Sequence, residues 1–493
     1  MQNQFFSLSE ARRFVALGLP VFVAQMSQMG MNFVDTAMTG QASTADMAAV
    51  AVAGSIWNPL SLLGIGCLLS LPAMSAHLVG GGQRSRTPHL LRQGIWLTLV
   101  ISAILMTAFY VISWHLQSFG LDEELSRLGG GYLRAMLWGL PGFMLFVNVR
   151  SFLEGYARTR PAMIIGILGL ALNVPCNYVL IYGKLGLPQL GAVGCGVATA
   201  LCYWFMAACM IYYVRRDAQY RDLHPLFLPL LLPPRTAPAC ACEARARDDA
   251  SPLAAPYTPE PVPCRFDFPL IWRILRIGLP GALAVFFEVS LFALSALLLA
   301  PLGKVIVAGH QIAMNFAGMV FMLPLSLNIT AAIRVGQSVG AGRLGRARLS
   351  ARTALCMGAV SSLIIAACTA LFREQIVHIY NDDPAVTALA MSLLLLGSCY
   401  QLVDALQTIS IGILRAYNDT RIISLVCFTS YWIIGLPLGF TLARTDWLVP
   451  AMGPAGFWIS YIVALGFGAL CYLIRVHHLH GLDAEAVRRR IQR

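Results

Sequence analysis

Three acidic residues stand inside long apolar stretches of the sequence, where a carboxylate is costly. They are Asp35, Glu288 and Asp404, out of 23 acidic residues in the chain. An acidic residue at the centre of a membrane helix costs on the order of 2.5–3.5 kcal/mol, so such a residue is by default functional. No Lys or Arg is predicted at comparable depth, which argues against a structural ion pair. A carboxyl group in these surroundings can exchange a proton or bind a cation.

Amide and hydroxyl side chains accompany these carboxylates at helical spacing. Gln28, Asn32, Asp35 and Thr39 follow i, i+4, i+7 and i+11 spacing, which predicts one polar stripe turned away from lipid. Other polar candidates in apolar stretches are Asn173, Asn177, Gln311, Asn315, Tyr400, Gln407 and Thr408. Each amide alone is equally explained by an interhelical hydrogen bond. Together, these oxygens predict a site for which a proton, Na⁺ and an organic cation would compete. Competition for one site is the basis of antiport.

Twelve apolar stretches must position these groups. Each has a length close to the roughly 20 residues that a helix needs to cross a hydrocarbon core of about 30 Å. The chain has 493 residues, of which 58% are hydrophobic and 12% charged. That charge is about half the roughly 25% of a soluble domain, so the sequence predicts an all-α polytopic membrane protein. The predicted spans are 14–38, 47–73, 93–115, 129–153, 162–183, 191–214, 273–299, 305–332, 351–371, 386–413, 421–443 and 454–476.

The predicted spans divide six and six around a segment rich in Pro, Ala and Arg. FVALGLP from Phe14 resembles ILRIGLP from Ile274, and GYARTRP from Gly155 resembles AYNDTRI from Ala416. Repeats of this kind predict two lobes with a substrate site near the midplane between them, as in transporters with internal repeats. The predicted divisions are an N-lobe at 1–216, a flexible linker at 217–266, a C-lobe at 267–478 and a basic tail at 479–493.

Charge predicts the orientation of the spans. Basic residues concentrate at the termini and in even-numbered loops, among them Arg84, Arg158, Arg346 and the run 488–490, whereas odd loops carry acidic residues such as Glu123. The positive-inside rule therefore places both termini and the linker in the cytoplasm. The net charge of +12 is spread over short loops rather than along one stripe, so we expect no nucleic-acid partner.

Enzyme chemistry has little support in the sequence. The nine histidines are mostly peripheral and form no grouping with a nucleophile or a metal cluster. Glycine-rich GGGQRS from Gly80 and GAGRLG from Gly340 lack the ending of a nucleotide-binding loop. Cys240 and Cys242 have no second pair of ligands nearby. We expect a monomer that is not an enzyme and needs no cofactor beyond a coupling ion, Na⁺ or H⁺.

Several long motifs resemble the multidrug and toxic compound extrusion (MATE) family, NorM branch. They are VDTAMTG from Val34, GLPGALAVFFEVSLFALSALLLAPLG from Gly278, VAGHQIAMNF from Val307 and YQLVDALQTISIGILRAYNDT from Tyr400. The resemblance runs from the first span to the last and leaves out mainly the linker. It implies a bacterial inner-membrane antiporter that exports cationic or amphipathic drugs. A lipid-linked oligosaccharide flippase of related architecture is the alternative, but it would need basic residues in its cavity to bind a diphosphate.

In the N-lobe the resemblance implies a cation site on span 1. Asp35 matches the aspartate of that site, with Asn173 and Asn177 on span 5 as its partners. Some members carry an aspartate where this chain has Asn177, which leaves the choice between H⁺ and Na⁺ open.

In the C-lobe the resemblance implies a second cation site on spans 7 and 10. Glu288 and Asp404 match its two carboxylates, with Tyr400 beside them, and Na⁺ at this pair is the one metal site implied. Asp382 and Asp383 lie in a loop where family members place acidic residues near bound drug.

Overall fold

The computed structural model describes residues 6–119, 122–216, 266–381, 383–447 and 449–492. Within these ranges the chain is helical and contains no strand. The predicted linker lies outside the described residues, apart from its last residue, Phe266.

Eleven helices in the described ranges are long and apolar enough to cross a membrane, and one bent helix pair makes a twelfth span. Six spans precede the linker and six follow it, so the predicted fold class is confirmed. Spans 1 to 6 are Leu8–Ala42, Thr44–Gly80, Arg84–Trp114, Glu123–Leu137 with Leu140–Gly155, Arg160–Tyr182 and Gly191–Arg216. Spans 7 to 12 are Phe268–Leu302, Lys304–Gly340, Leu344–Leu371, Pro384–Ala416, Thr420–Arg444 and Pro454–Gly481. Two shorter helices are Arg373–His378 and Ala484–Gln492.

Local capping chemistry fixes where several spans begin and end. The Ser7 side chain accepts a hydrogen bond from the Glu10 amide at the start of span 1. Asp267 does the same for Leu270 at the start of span 7. These side chains satisfy amides that have no partner within the helix. Gly183 ends span 5 at φ 67°, a left-handed conformation that glycine adopts without strain.

Three spans are irregular in ways that the apolar pattern does not predict. Span 2 is interrupted after Leu68 and resumes at Leu71. Span 4 bends by 45° between its two helices. Span 11 contains a π-helical segment, Thr429–Gly435. Such segments widen the helix locally and are frequent at functional sites.

Two hydrophobic clusters form the cores of the two lobes, and each includes residues from the other half of the chain. Ile271, Ile274 and Ile277 of span 7 pack into the N-lobe cluster. Phe14 of span 1 packs into the C-lobe cluster. The beginnings of spans 1 and 7 therefore cross between the lobes.

The lobes meet at the end of the bundle that carries the start of span 1 and the end of span 12, here called the termini face. Glycines allow close backbone approach there, since a Cβ on Gly278 would lie 2.1 Å from the Cys67 carbonyl oxygen. Side chains also bond across this seam. They are Ser70 to the Ile274 carbonyl at 3.1 Å, His77 to the Ala416 carbonyl at 2.6 Å and Gln337 to the Gly155 carbonyl at 2.9 Å.

Candidate functional site

The carboxylate of Asp35 is buried in the N-lobe and surrounded by hydrogen-bond donors. Its Oδ1 accepts from Asn173 Nδ2 at 3.1 Å and from Asn177 Nδ2 at 2.6 Å. Its Oδ2 accepts from the Thr199 hydroxyl at 2.8 Å. Asp35 is 3% exposed and both asparagines are fully buried. Spans 5 and 6 thus supply three side-chain donors that stabilise a charged carboxylate on span 1.

Thr199 is a member of this site that the sequence analysis missed. It lies on span 6 with Cys195 one turn before it, and the Cys195 thiol also donates toward Asp35. The signal was present as two polar side chains spaced i and i+4 in an Ala- and Gly-rich helix. A hydroxyl and a thiol in a packed helix are common, so spacing alone did not single them out.

The predicted polar stripe of span 1 divides in the structure. Thr39 is buried, but its hydroxyl bonds to the Asp35 backbone carbonyl at 2.7 Å rather than to the carboxylate. Asn32 is exposed. Gln28 is half-buried, and its Nε2 is buried without a hydrogen-bond partner. Of the residues in this stripe, only Asp35 has a side chain bonded to Asn173, Asn177 and Thr199.

The two C-lobe carboxylates have a different environment. Asp404 is 3% exposed, and within the described ranges its one hydrogen bond comes from the Thr408 hydroxyl at a long 3.4 Å. Glu288 is half-buried, and its carboxylate accepts no hydrogen bond from the described residues. The two groups are close enough to interact electrostatically. Two nearby carboxylates with few hydrogen-bond donors repel each other, and a bound proton or cation would relieve that repulsion.

A small pocket lies beside Asp404, between spans 8, 9 and 10. Ser362 and Gln401 bring a hydroxyl and an amide to its wall, and Phe321 and Pro324 contribute apolar surface. Neither Ser362 nor Gln401 was predicted, because single hydroxyl and amide side chains are common in membrane helices. Carboxylate, amide and hydroxyl oxygens are the ligands that hard cations prefer.

One basic residue near the C-lobe carboxylates was not among the sequence candidates. Arg415, in the last turn of span 10, interacts electrostatically with Glu288. Its guanidinium also bonds to Asn328 Oδ1 at 3.4 Å and lines a small pocket between the lobes. The predicted span ended two residues earlier, and a long Arg side chain reaches back along its helix. Arg150 is buried, in a 2.7 Å ion pair with Glu154 on span 4.

Tyr400 and Gln407 both lie on span 10 but have different neighbours. Tyr400 is buried, and its ring meets those of Trp458 and Tyr461 edge-on at 5.8 and 6.5 Å. Gln407 Nε2 donates to the Tyr431 hydroxyl at 2.6 Å, in the π-helical segment of span 11. Tyr400 therefore packs in an aromatic cluster, whereas Gln407 forms a hydrogen bond that joins span 10 to span 11.

The remaining candidates lie at exposed positions. Gln311 and Asn315 on span 8 are exposed and share a 3.4 Å hydrogen bond. Asp383 caps span 10, where its Oδ1 accepts from the Ala385 amide at 2.9 Å. Asp382 lies outside the described residues. Their roles in binding stay predictions.

Comparison with known families decides the identity of the fold. The family model MatE matches residues 20–179 and again residues 280–441. The chain belongs to the MATE family. Because the same MATE model matches each lobe once, the two lobes are repeats of one unit. The family predicted from the motifs is thus confirmed, and the NorM branch stays a prediction.

Solved MATE structures share the whole fold at low sequence identity. A eukaryotic MATE transporter, AtDTX14, superimposes with a TM-score of 0.81 at 18% identity, over 98% of this chain and 99% of that one. An outward-facing multidrug resistance MATE transporter gives 0.79 at 16%, over 97% of each. A transporter of the wider MOP superfamily from Pyrococcus furiosus gives 0.79 at 15%, also over 97% of each. The protein is therefore a multi-pass MATE-family transporter of small molecules.

Proposed function

We propose that this transporter exports cationic or amphipathic drugs in exchange for Na⁺ or H⁺ across a bacterial plasma membrane. The observation that carries the proposal is the contrast between its two lobes. Asp35 has three side-chain hydrogen bonds from asparagine and threonine, whereas Glu288 and Asp404 together have one long one. The C-lobe pair therefore depends most on an incoming cation, and we assign coupling to it.

An aromatic cluster on spans 7 and 11 supports a flat organic cation as the exported species. Phe287, which precedes Glu288 in span 7, packs against Phe286 at 6.0 Å, Phe428 at 5.2 Å and Trp432 at 6.3 Å between ring centroids. Aromatic faces attract cations through their quadrupole and tolerate varied shapes. A drug that approached Glu288 would compete with the coupling ion for one carboxylate, which is the physical basis of exchange.

The flippase alternative rests on one observation, the half-buried Arg415, which could meet a phosphate. We favour drug export because Arg415 already faces the negative charge of Glu288 and bonds to Asn328. The Pyrococcus relative is described as having a binding pocket of reverse polarity that suggests a different function. Pocket polarity therefore separates functions within this fold, and buried carboxylates favour cationic cargo here.

The test is ethidium efflux from energised vesicles, with the Na⁺ and proton gradients imposed separately. We expect one gradient alone to drive efflux and Glu288→Gln to abolish the uphill component. Asp483→Asn is the matched control, because it removes an exposed carboxylate that caps the last short helix, and asparagine caps equally well. Efflux that depends on ATP after both gradients have collapsed would refute antiport.

Orientation needs a separate test, because length and composition do not show which face is cytoplasmic. The positive-inside rule predicts that reporters fused near Pro252 and after Arg493 both report the cytoplasm. A periplasmic signal from either fusion would mean that a helix has been miscounted.

A further inference from the structure

Glu10, two residues into span 1, is buried at the termini face by groups of the opposite lobe. Its Oε1 accepts from Arg334 Nη2 at 2.6 Å and from Arg334 Nε at 3.0 Å, both on span 8. The Ser350 hydroxyl of span 9 donates to the same oxygen at 2.8 Å. The Glu10 side chain is 5% exposed and that of Arg334 is 15% exposed. An N-lobe carboxylate is thus held by two C-lobe spans.

Other buried ion pairs at this end of the molecule stay within one lobe. Arg150 and Glu154 are one turn apart on span 4, at 2.7 Å. Asp419, before span 11, is bound by Arg475 of span 12 at 2.7 Å. Such pairs move with their lobe as a rigid body. The Glu10 contact, by contrast, joins span 1 to span 8, residues 324 positions apart. Although Phe14 packs into the C-lobe cluster, span 1 also packs along spans 2 and 5 of the N-lobe. Movement of span 1 with spans 2 and 5 away from the C-lobe therefore breaks the contact.

Separating this pair has a defined energetic consequence. Removing one partner from a buried ion pair leaves an uncompensated charge and is strongly unfavourable. Opening therefore requires water to reach Glu10, and the second carboxylate oxygen offers a route, since it lies 3.6 Å from the half-exposed Arg13. The pair favours the closed termini face without making it permanent.

We propose that Glu10, Arg334 and Ser350 form a latch that sets how often the lobes separate at the termini face, and that Glu10 and Arg334 are positioning residues for transport. The proposal rests on the alternating exchange of the proposed function. It does not depend on which drug or ion is carried. Loss of the latch should change the balance between the conformations that are open and closed at the termini face. It should not remove binding at Asp35 or Asp404.

Hydrogen exchange measured by mass spectrometry on the purified full chain tests the latch. In Glu10→Gln we expect faster exchange in segments 66–82 and 330–342, at the termini face. We expect slower exchange in segments 38–48 and 298–308, in the loops at the opposite face, because that face closes as the first opens. Each change should be about fivefold or more, the lower end of typical coupling between sites.

The matched control is Glu154→Gln, which breaks a buried ion pair of the same length and burial inside one lobe. It should leave the balance between the two faces unchanged. Ser350→Ala removes only one donor and should shift exchange in the same directions as Glu10→Gln, but less. The charge-reversed pair Glu10→Arg with Arg334→Glu should restore the original pattern.

Faster exchange at both faces, or no reciprocal change in Glu10→Gln, would overturn the latch. Because the assay uses no substrate, failed drug efflux would leave this result standing.

Discussion

Removing the same charge from Asp35 and from Asp404 should have different effects on stability. Both aspartates are 3% exposed, so the penalty for burying a carboxylate is similar at the two sites and largely cancels in the comparison. What differs is the number of hydrogen bonds whose charged acceptor is replaced by a neutral amide. Asp35 accepts three from side chains, whereas Asp404 accepts one at 3.4 Å.

The difference can be worked out from these contacts. A hydrogen bond to a charged group contributes about 1.5–3 kcal/mol and a neutral one about 0.5–1.5 kcal/mol, so each loses about 1 kcal/mol when the acceptor becomes an amide. Asp35→Asn thus loses about 3 kcal/mol and Asp404→Asn about 1 kcal/mol. Asp404→Asn also relieves its repulsion with Glu288. We expect Asp404→Asn to be the more stable by about 2 kcal/mol, or about 4–8 °C for a unit the size of one lobe.

Fluorescence-monitored thermal unfolding in detergent measures this difference. Asp383→Asn serves as the control, since its carboxylate is a helix cap outside both clusters and the variant should unfold like the parent. A melting temperature of Asp35→Asn equal to or above that of Asp404→Asn would refute the reasoning. It would mean that the donors around Asp35 do not stabilise its charge.

Three further results are expected. The double variant of Glu288→Gln with Asp404→Asn should transport little worse than either single variant, since residues that share a site are non-additive; fully additive losses in efflux would separate them. Thr199→Val should destabilise the protein by about 1.5–3 kcal/mol in thermal unfolding, and an unchanged melting temperature would remove this hydroxyl from the cluster. Gly80→Val should slow efflux, because its Cβ would lie 2.1 Å from a span 8 carbonyl oxygen, whereas Gly54→Ala, which meets nothing within 4 Å, should not.

Much of the fold could be predicted from the sequence because lipid imposes a simple rule. A chain that crosses a hydrocarbon core must satisfy its backbone internally, so long apolar stretches become helices. The twelve predicted stretches all correspond to spans, although several helices extend beyond the hydrophobic core, as in span 8, Lys304–Gly340. The apolar pattern carries no signal for the bend in span 4 or the π-helical segment Thr429–Gly435, because both depend on packing between helices.

The candidate site was predictable only in part. Asp35, Glu288 and Asp404 stood out because a carboxylate in an apolar stretch is costly, and Asn173 and Asn177 stood out as two amides one turn apart in such a stretch. Their neighbours Thr199, Ser362 and Gln401 did not stand out, because single hydroxyl and amide groups are frequent in membrane helices. Only the packed structure shows which of these common groups point at a carboxylate.

The sequence by itself determined the membrane environment, the two-lobe repeat and the identity of the costly carboxylates, since each follows from composition, spacing or motif. The tertiary structure alone decided how those carboxylates differ. Asp35 accepts hydrogen bonds from three side chains, while Glu288 interacts electrostatically with both Asp404 and Arg415. It also decided that Glu10 bonds across the lobe interface. Distance between residues far apart in the chain sets these interactions, and only the packing of the lobes fixes that distance.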